Sequence, residues 1–219
     1  MPDDLTVDVL AEDAPFDYAG DEARRSSREA FVQKAVIAGG TLLAGGLVIG
    51  GVPKLAATAP SRAQDVRILN FALWLEYLQA AFYTEAAQSG ALDGEFQQFA
   101  EVIGKHERAH VAFLRRTLGA KARKRPSFDF GDTTDNRDKF LATAHLLEET
   151  GVAAYIGQAA HLTKQLMVPA ATIVSVEARH AAWIRDLIGQ NPAPLVADAA
   201  KTAREVVAAV RKTGFVTSE

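Results

Sequence analysis

The chain has 219 residues, with 24 Lys and Arg against 27 Asp and Glu, a formal net charge of −3 and 48% hydrophobic residues. It contains no cysteine, which excludes disulfides, thiolate metal sites and cysteine nucleophiles, so any metal has to be held by Glu, Asp or His. From Gln64 onward 18 acids stand against 18 bases, and a neutral domain offers no electrostatic footprint for nucleic acid.

Residues 1–34 combine an acidic tail with a basic segment. In the first 30 residues nine acids face only Arg24, Arg25 and Arg28, and Pro and Gly break any helical stripe. That composition reads as a tail ordered only by a partner. Residues 35–63 follow as an apolar segment, uncharged from Ala35 to Pro53 and rich in glycine. Cations, then an apolar stretch, then small residues is the order of an export signal. Ser27-Arg28-Glu29-Ala30-Phe31-Val32-Gln33-Lys34 resembles the twin-arginine (Tat) export motif in its Phe, its basic residue and the Gly-rich run after it. It departs where Glu29 replaces the second Arg, and the Arg24-Arg25 pair lies further upstream. Ser61-Arg62-Ala63 offers a small-x-small cleavage site that would leave a chain starting at Gln64, whereas Pro60 opposes cleavage after Ala59.

The alternative is a retained anchor. The nineteen uncharged residues 35–53 approach the roughly 20 a helix needs to span a bilayer. Gly46-Leu47-Val48-Ile49-Gly50 would let such helices pack closely. The segment is thus expected to be an export or anchor helix, and the protein to be periplasmic, otherwise extracytoplasmic, or membrane-anchored. If uncleaved, residues 35–53 would meet a membrane or a membrane complex.

From Val66 apolar residues recur at steps of three and four, and no stretch alternates as a strand does, so residues 64–219 are expected to be all-α. The first helix is expected over Gln64–Gln88, stopped by Ser89-Gly90, and the second from an Asp93 N-cap to Leu118. A long connection from Gly119 to Asn136 carries Lys121, Arg123, Lys124 and Arg125, read as a solvated loop. The third helix is expected over Arg137–Gln165. Met167-Val168-Pro169 then turns into a fourth, Ala170–Ile188, closed by Gly189. Thr202-Ala203-Arg204-Glu205 has the form of a capping box and opens a short fifth helix. Two hairpins joined by one long crossover is the connectivity of ferritin-like four-helix bundles.

Two of these helices carry Glu-x-x-His: Glu107-Arg108-Ala109-His110 and Glu177-Ala178-Arg179-His180. Three residues' spacing puts both side chains on one helical face, where they can reach a common ion. Ile103, Val111 and Leu114 continue the first face, and Ile173, Val174, Ala181 and Ile184 the second, so both pairs point into the core. Buried carboxylates need a counter-charge, which a divalent metal supplies.

The other two helices should each add one carboxylate. Glu76 interrupts the stripe Leu69, Ala72, Leu73, Ala80, Tyr83. It lies thirteen residues before Ser89, as Glu107 lies thirteen after Gly94, so an antiparallel hairpin brings the two level. Glu85 sits too near the turn. On the third helix Glu148 and Glu149 compete, and Glu148 lies on the more apolar line with Leu141, Ala144, Val152 and Tyr155. The expected ligands are therefore Glu76, Glu107, His110, Glu148, Glu177 and His180, with His145, Tyr155 and Glu149 as candidates to support them from behind. His106 is rotated off the stripe, His161 falls near a helix end, and Tyr83, Trp74 and Trp183 read as packing. The alternative is a site whose residues persist only to pair with one another.

Ile68-Leu69-Asn70-Phe71-Ala72-Leu73-Trp74-Leu75-Glu76-Tyr77-Leu78, Leu147-Glu148-Glu149-Thr150-Gly151-Val152-Ala153-Ala154-Tyr155 and Val176-Glu177-Ala178-Arg179-His180 resemble bacterial ferritin-like proteins related to plant desiccation-associated proteins. The resemblance covers about Asp65 to Ile188. It implies the bundle fold and the Glu/His metal positions, and it favours Glu148 over Glu149. The ligand set leads us to expect two iron ions, or manganese, and Fe(II) oxidation or chemistry on dioxygen or peroxide. The competing expectation is a non-enzymatic accessory subunit or stress protein bound to a membrane complex.

Overall fold

A computed structural model describes residues 60–218. The acidic tail, the basic segment and the apolar export or anchor run lie outside the described residues. Five α-helices and one small sheet occur within them, in the order α1 (Arg62–Ser89), α2 (Gly94–Leu118), β1 (Ser127–Phe128), α3 (Arg137–Ala159), α4 (Lys164–Leu187), α5 (Ala203–Thr213) and β2 (Val216–Ser218). None of these helices is long and apolar enough to cross a membrane.

Local chemistry sets most of the boundaries. The Ser61 hydroxyl accepts from the Gln64 amide at 3.2 Å and caps α1 two residues before the expected start. Gly90 ends the helix at φ 77°, a left-handed position that costs glycine little. Asn136 caps α3 by accepting from the Lys139 amide at 3.1 Å. The expected box at Thr202 and Glu205 is present, with each side chain bonded to the other's backbone N–H.

The largest difference from the sequence reading lies between the third and fourth helices. The third helix stops at Ala159, the chain turns through Ala160–Thr163, and the fourth helix starts at Lys164 with Pro169 inside it. A tertiary contact places this turn. The buried carboxylate of Asp65 accepts from the Thr163 amide at 2.9 Å and from its hydroxyl at 2.8 Å, tying the start of α1 to the N-cap of α4. Pro169 is the sixth residue of α4. The N–H it lacks would have met the carbonyl of Gln165, an exposed residue, so water can take the place of that bond.

The short connections pack α1 against α2 and α3 against α4. Fully buried Phe82, Tyr83, Phe99 and Phe140 interlock in one end of the core, with Phe82 and Phe140 stacked at 5.5 Å and Tyr83 edge-on to Phe99 at 5.8 Å. Phe130 of the crossover and Phe215 of the C-terminus extend this cluster. There β1 pairs antiparallel with β2, Ser127 opposite Ser218. The sheet was not expected from the sequence, since strands of two and three residues are too short to display alternation. Helix α5 buries Val206 and Val210 in the same core. The chain leading into α5 lies so close to α3 that a Cβ at Gly157 would stand 1.9 Å from the Lys201 carbonyl.

A candidate metal centre in the bundle core

Each of the four long helices delivers acid to one point in the core. Glu76 comes from α1, Glu107 and His110 from α2, Glu148 from α3, and Glu177 and His180 from α4. All six expected residues therefore converge. Five of them are at most 3% exposed, and the side chain of His110 is 12% exposed. Their inward atoms form two groups, each spanning less than 4.8 Å: Glu76, Glu107, His110 and Glu177 in one, Glu107, Glu148, Glu177 and His180 in the other. Glu107 and Glu177 belong to both. In the first group Nδ1 of His110 lies 3.2 Å from Glu76, 3.4 Å from Glu107 and 3.2 Å from Glu177. In the second, Nδ1 of His180 lies 3.2 Å from both Glu107 and Glu148.

The carboxylates on α1 and α3 are held by a reciprocal pair of tyrosines. Tyr83, seven residues after Glu76, donates its hydroxyl to Glu148 at 2.6 Å, and Tyr155, seven after Glu148, donates to Glu76. Burial, followed by the charges of these carboxylates, pushes both phenols well above the ordinary tyrosine value, so they remain donors. Gln79 adds a second donor to the same oxygen of Glu148, at 3.1 Å. Gly151 makes room here, because a Cβ on it would come within 2.9 Å of Glu177 and 3.5 Å of Gln79.

The supporting residues differ from those expected. Tyr155 is in place. His145 and Glu149 face each other away from the centre at 3.6 Å, and Glu149 is held by Arg185 at 2.6 Å. Glu148 rather than Glu149 thus enters the core, in keeping with its apolar line. Tyr83, expected as packing, also donates to Glu148, and its seven-residue offset from Glu76 is the signal the sequence carries. His106 was read as turned away. Its Nδ1 lies 2.9 Å from Nε2 of His180 and the rings stack at 5.2 Å. His106, His110 and His180 border an open cleft between α2 and α4, with Arg179 and Trp183 at its side.

Burial and the close approach of like and unlike charges displace the titration of the groups here. Burial, reinforced by the neighbouring Glu107 charge, raises Glu76 to about 8, and burial raises Glu177 to about 7. Burial alone would lower His180, but its contacts with Glu107 and Glu148 outweigh that and raise it to about 10. His110 is raised likewise, against its burial, by Glu107, Glu177 and Glu76. His106 moves the other way, below the usual histidine value, through partial burial and then the adjacent His180.

The donor set fits a pair of divalent ions. Both oxygens of Glu107 and of Glu177, the inward oxygen of Glu148 and Nδ1 of His180 are buried and make no hydrogen bond of good geometry among the described residues, their contacts being the 3.2–3.4 Å ion pairs within the site. Once deprotonated, the four carboxylates would carry negative charge that bound cations would offset. Hard oxygen donors with two imidazoles suit iron, manganese or zinc.

The family model described as the ferritin-like domain matches residues 64–190, which include all four long helices of the bundle except the first two residues of α1. No curated protein matches the chain.

Proposed function

Since the chain belongs to the ferritin-like domain family, we propose that it is a di-metal carboxylate protein, holding two iron ions or, alternatively, manganese, and acting in Fe(II) oxidation or the removal of peroxide or dioxygen. The observation that carries this reading is the sharing of Glu107 and Glu177 by two ligand groups. Among the described residues, no protein group outside the site hydrogen-bonds either shared carboxylate, whose ion pairs are with His110 and His180. Glu76 and His110 would complete one position, Glu148 and His180 the other.

Iron held by these six residues would supply redox chemistry, the two-electron, two-proton reduction of a peroxide to two waters. The chain's own residues set the surroundings. Tyr83 and Tyr155 hold O–H groups against the terminal carboxylates and fix which oxygen faces the metals. The apolar walls Ile103 and Ile184, both fully buried, limit water near the centre. The cleft between α2 and α4 presents the imidazoles of His106, His110 and His180 at its lining.

The test is metal analysis of protein purified from its own host, beside a Glu107→Ala, Glu177→Ala double variant. Two ions per chain in the wild type and none in the variant support the reading, and Fe(II) oxidation and peroxide consumption are then measured on the loaded protein. Protein with bound iron that does neither would contradict the proposed activity. A second reading draws on the close pairing of His110 and His180 with the acids. In it the network holds the bundle without metal, and the protein serves as an accessory subunit or stress protein on a membrane complex. Absence of metal from the native protein would favour it.

We also place the protein among the desiccation-related ferritin-like proteins and assign it to the cell envelope. Support comes from the stretches quoted above and from the basic-then-apolar order of residues 24–53. Fractionation of cells expressing the full chain tests the location, and recovery entirely in the cytosol would refute it.

A further inference from the structure

The helices form a repeat. Helices α1 and α3 each carry Glu with Tyr seven residues later, and α2 and α4 each carry Glu-x-x-His. Two of the positions that differ between the copies carry side chains that touch the ligands. Three after Glu76 stands Gln79, where the matching position after Glu148 is Gly151, and before Glu107 stands His106, where Val176 precedes Glu177. Both odd residues brace the same half of the centre. Gln79 bonds Glu148 at 3.1 Å, and His106 bonds His180 at 2.9 Å.

The other half lacks these supports. Glu76 accepts from one tyrosine on its outer oxygen, whereas Glu148 accepts from Tyr83 and Gln79 together. Among the described residues the outer nitrogen of His110 has no partner, while that of His180 faces His106. The consequence for His180 is chemical. If Nδ1 is to offer a lone pair inward, the ring proton must sit on Nε2, and an acceptor at Nδ1 of His106 holds it there. An imidazole fixed in tautomer and stacked in orientation spends less free energy on ordering when it takes a metal.

We propose that the two metal positions are inequivalent, the Glu148–His180 position binding its ion first and more tightly, with His106 and Gln79 as its positioning residues. This rests on the di-metal reading above. The measurement is stepwise addition of Co(II) to metal-free protein, followed by calorimetry and by the visible spectrum of the bound ion. Wild type should take two ions in resolved steps, and His180→Ala should abolish the tighter one. His106→Ala and Gln79→Ala should each weaken that step about 10–100-fold and leave the weaker step in place. His106→Gln, which keeps an acceptor, should retain most of the affinity, and Lys105→Ala should change nothing.

His106 is exposed, so its variants test the idea even if Gln79→Ala folds poorly. The proposal fails if His106→Ala leaves the tighter step unchanged, or if His110→Ala rather than His180→Ala removes it. A wild type that binds no Co(II) would sink the di-metal reading itself and this inference with it, a result distinct from two steps that ignore His106.

Discussion

A tyrosine hydroxyl 2.6 Å from a fully buried carboxylate is worth more than an ordinary hydrogen bond, because its loss leaves a charge in the core with one donor fewer. Tyr83→Phe should therefore destabilise the metal-free protein by about 1.5–3 kcal/mol, the range for bonds to charged groups. Tyr155→Phe should cost less, about 0.5–1.5 kcal/mol, because its partner Glu76 keeps its proton up to about pH 8. Urea denaturation of both variants is the check, and equal stability of Tyr83→Phe and wild type would mean that the hydroxyl is not engaged. At this scale the sequence showed which residues turn inward, since the ligands repeat at i and i+3 on apolar stripes. It could not show His106. That residue lies about 100° around the helix from Glu107, and it matters only because His180 on another helix presents its outer nitrogen at the cleft. Contacts between helices leave no periodicity in either one.

Among the elements, the start of α4 is set from a distance. Pro169 resembles a stop signal, and periodicity alone placed the turn there. The two bonds from Asp65 to Thr163 fix it six residues earlier, and nothing local in 160–169 reveals that. Asp65→Ala should fray the first turns of α4 and lower stability by about 1–3 kcal/mol, the cost of stranding buried partners, with amide exchange quickened over residues 164–168. Unchanged exchange there would show that the helix start needs no tether. Gly157 marks the opposite constraint, a close approach. Gly157→Ala would drive a methyl into the Lys201 carbonyl, so the segment before α5 must move away, and proteolysis between residues 190 and 202 should accelerate. The four long helices and the capping box of α5 were legible because caps and stripes are local. The β1–β2 pair joins residues about 90 positions apart through strands of two and three residues, and it was not.

For the whole molecule, the centre couples folding to pH and metal in opposite directions. Glu76 has a folded value of about 8 against an ordinary 4.5, so the folded protein holds a proton that the unfolded chain releases. That contribution is complete below pH 4.5 and is lost as pH rises through about 8. His180, at about 10 against 6.5, has the same sign, its contribution complete below 6.5 and lost towards 10. Metal-free protein should therefore melt at progressively lower temperature as pH rises from 6.5 towards 10. Divalent metal competes with those same protons for the carboxylates and imidazoles, so its affinity increases over the interval. At free metal 100-fold above its dissociation constant, each ion adds about 2.7 kcal/mol to stability. The gap in melting temperature between loaded and chelator-treated protein should thus widen as pH rises. Calorimetric scans of both forms in matched buffers provide the comparison. A gap that stays constant with pH would mean that the six buried side chains do not exchange protons for metal, and that the bundle is held by their mutual pairing instead.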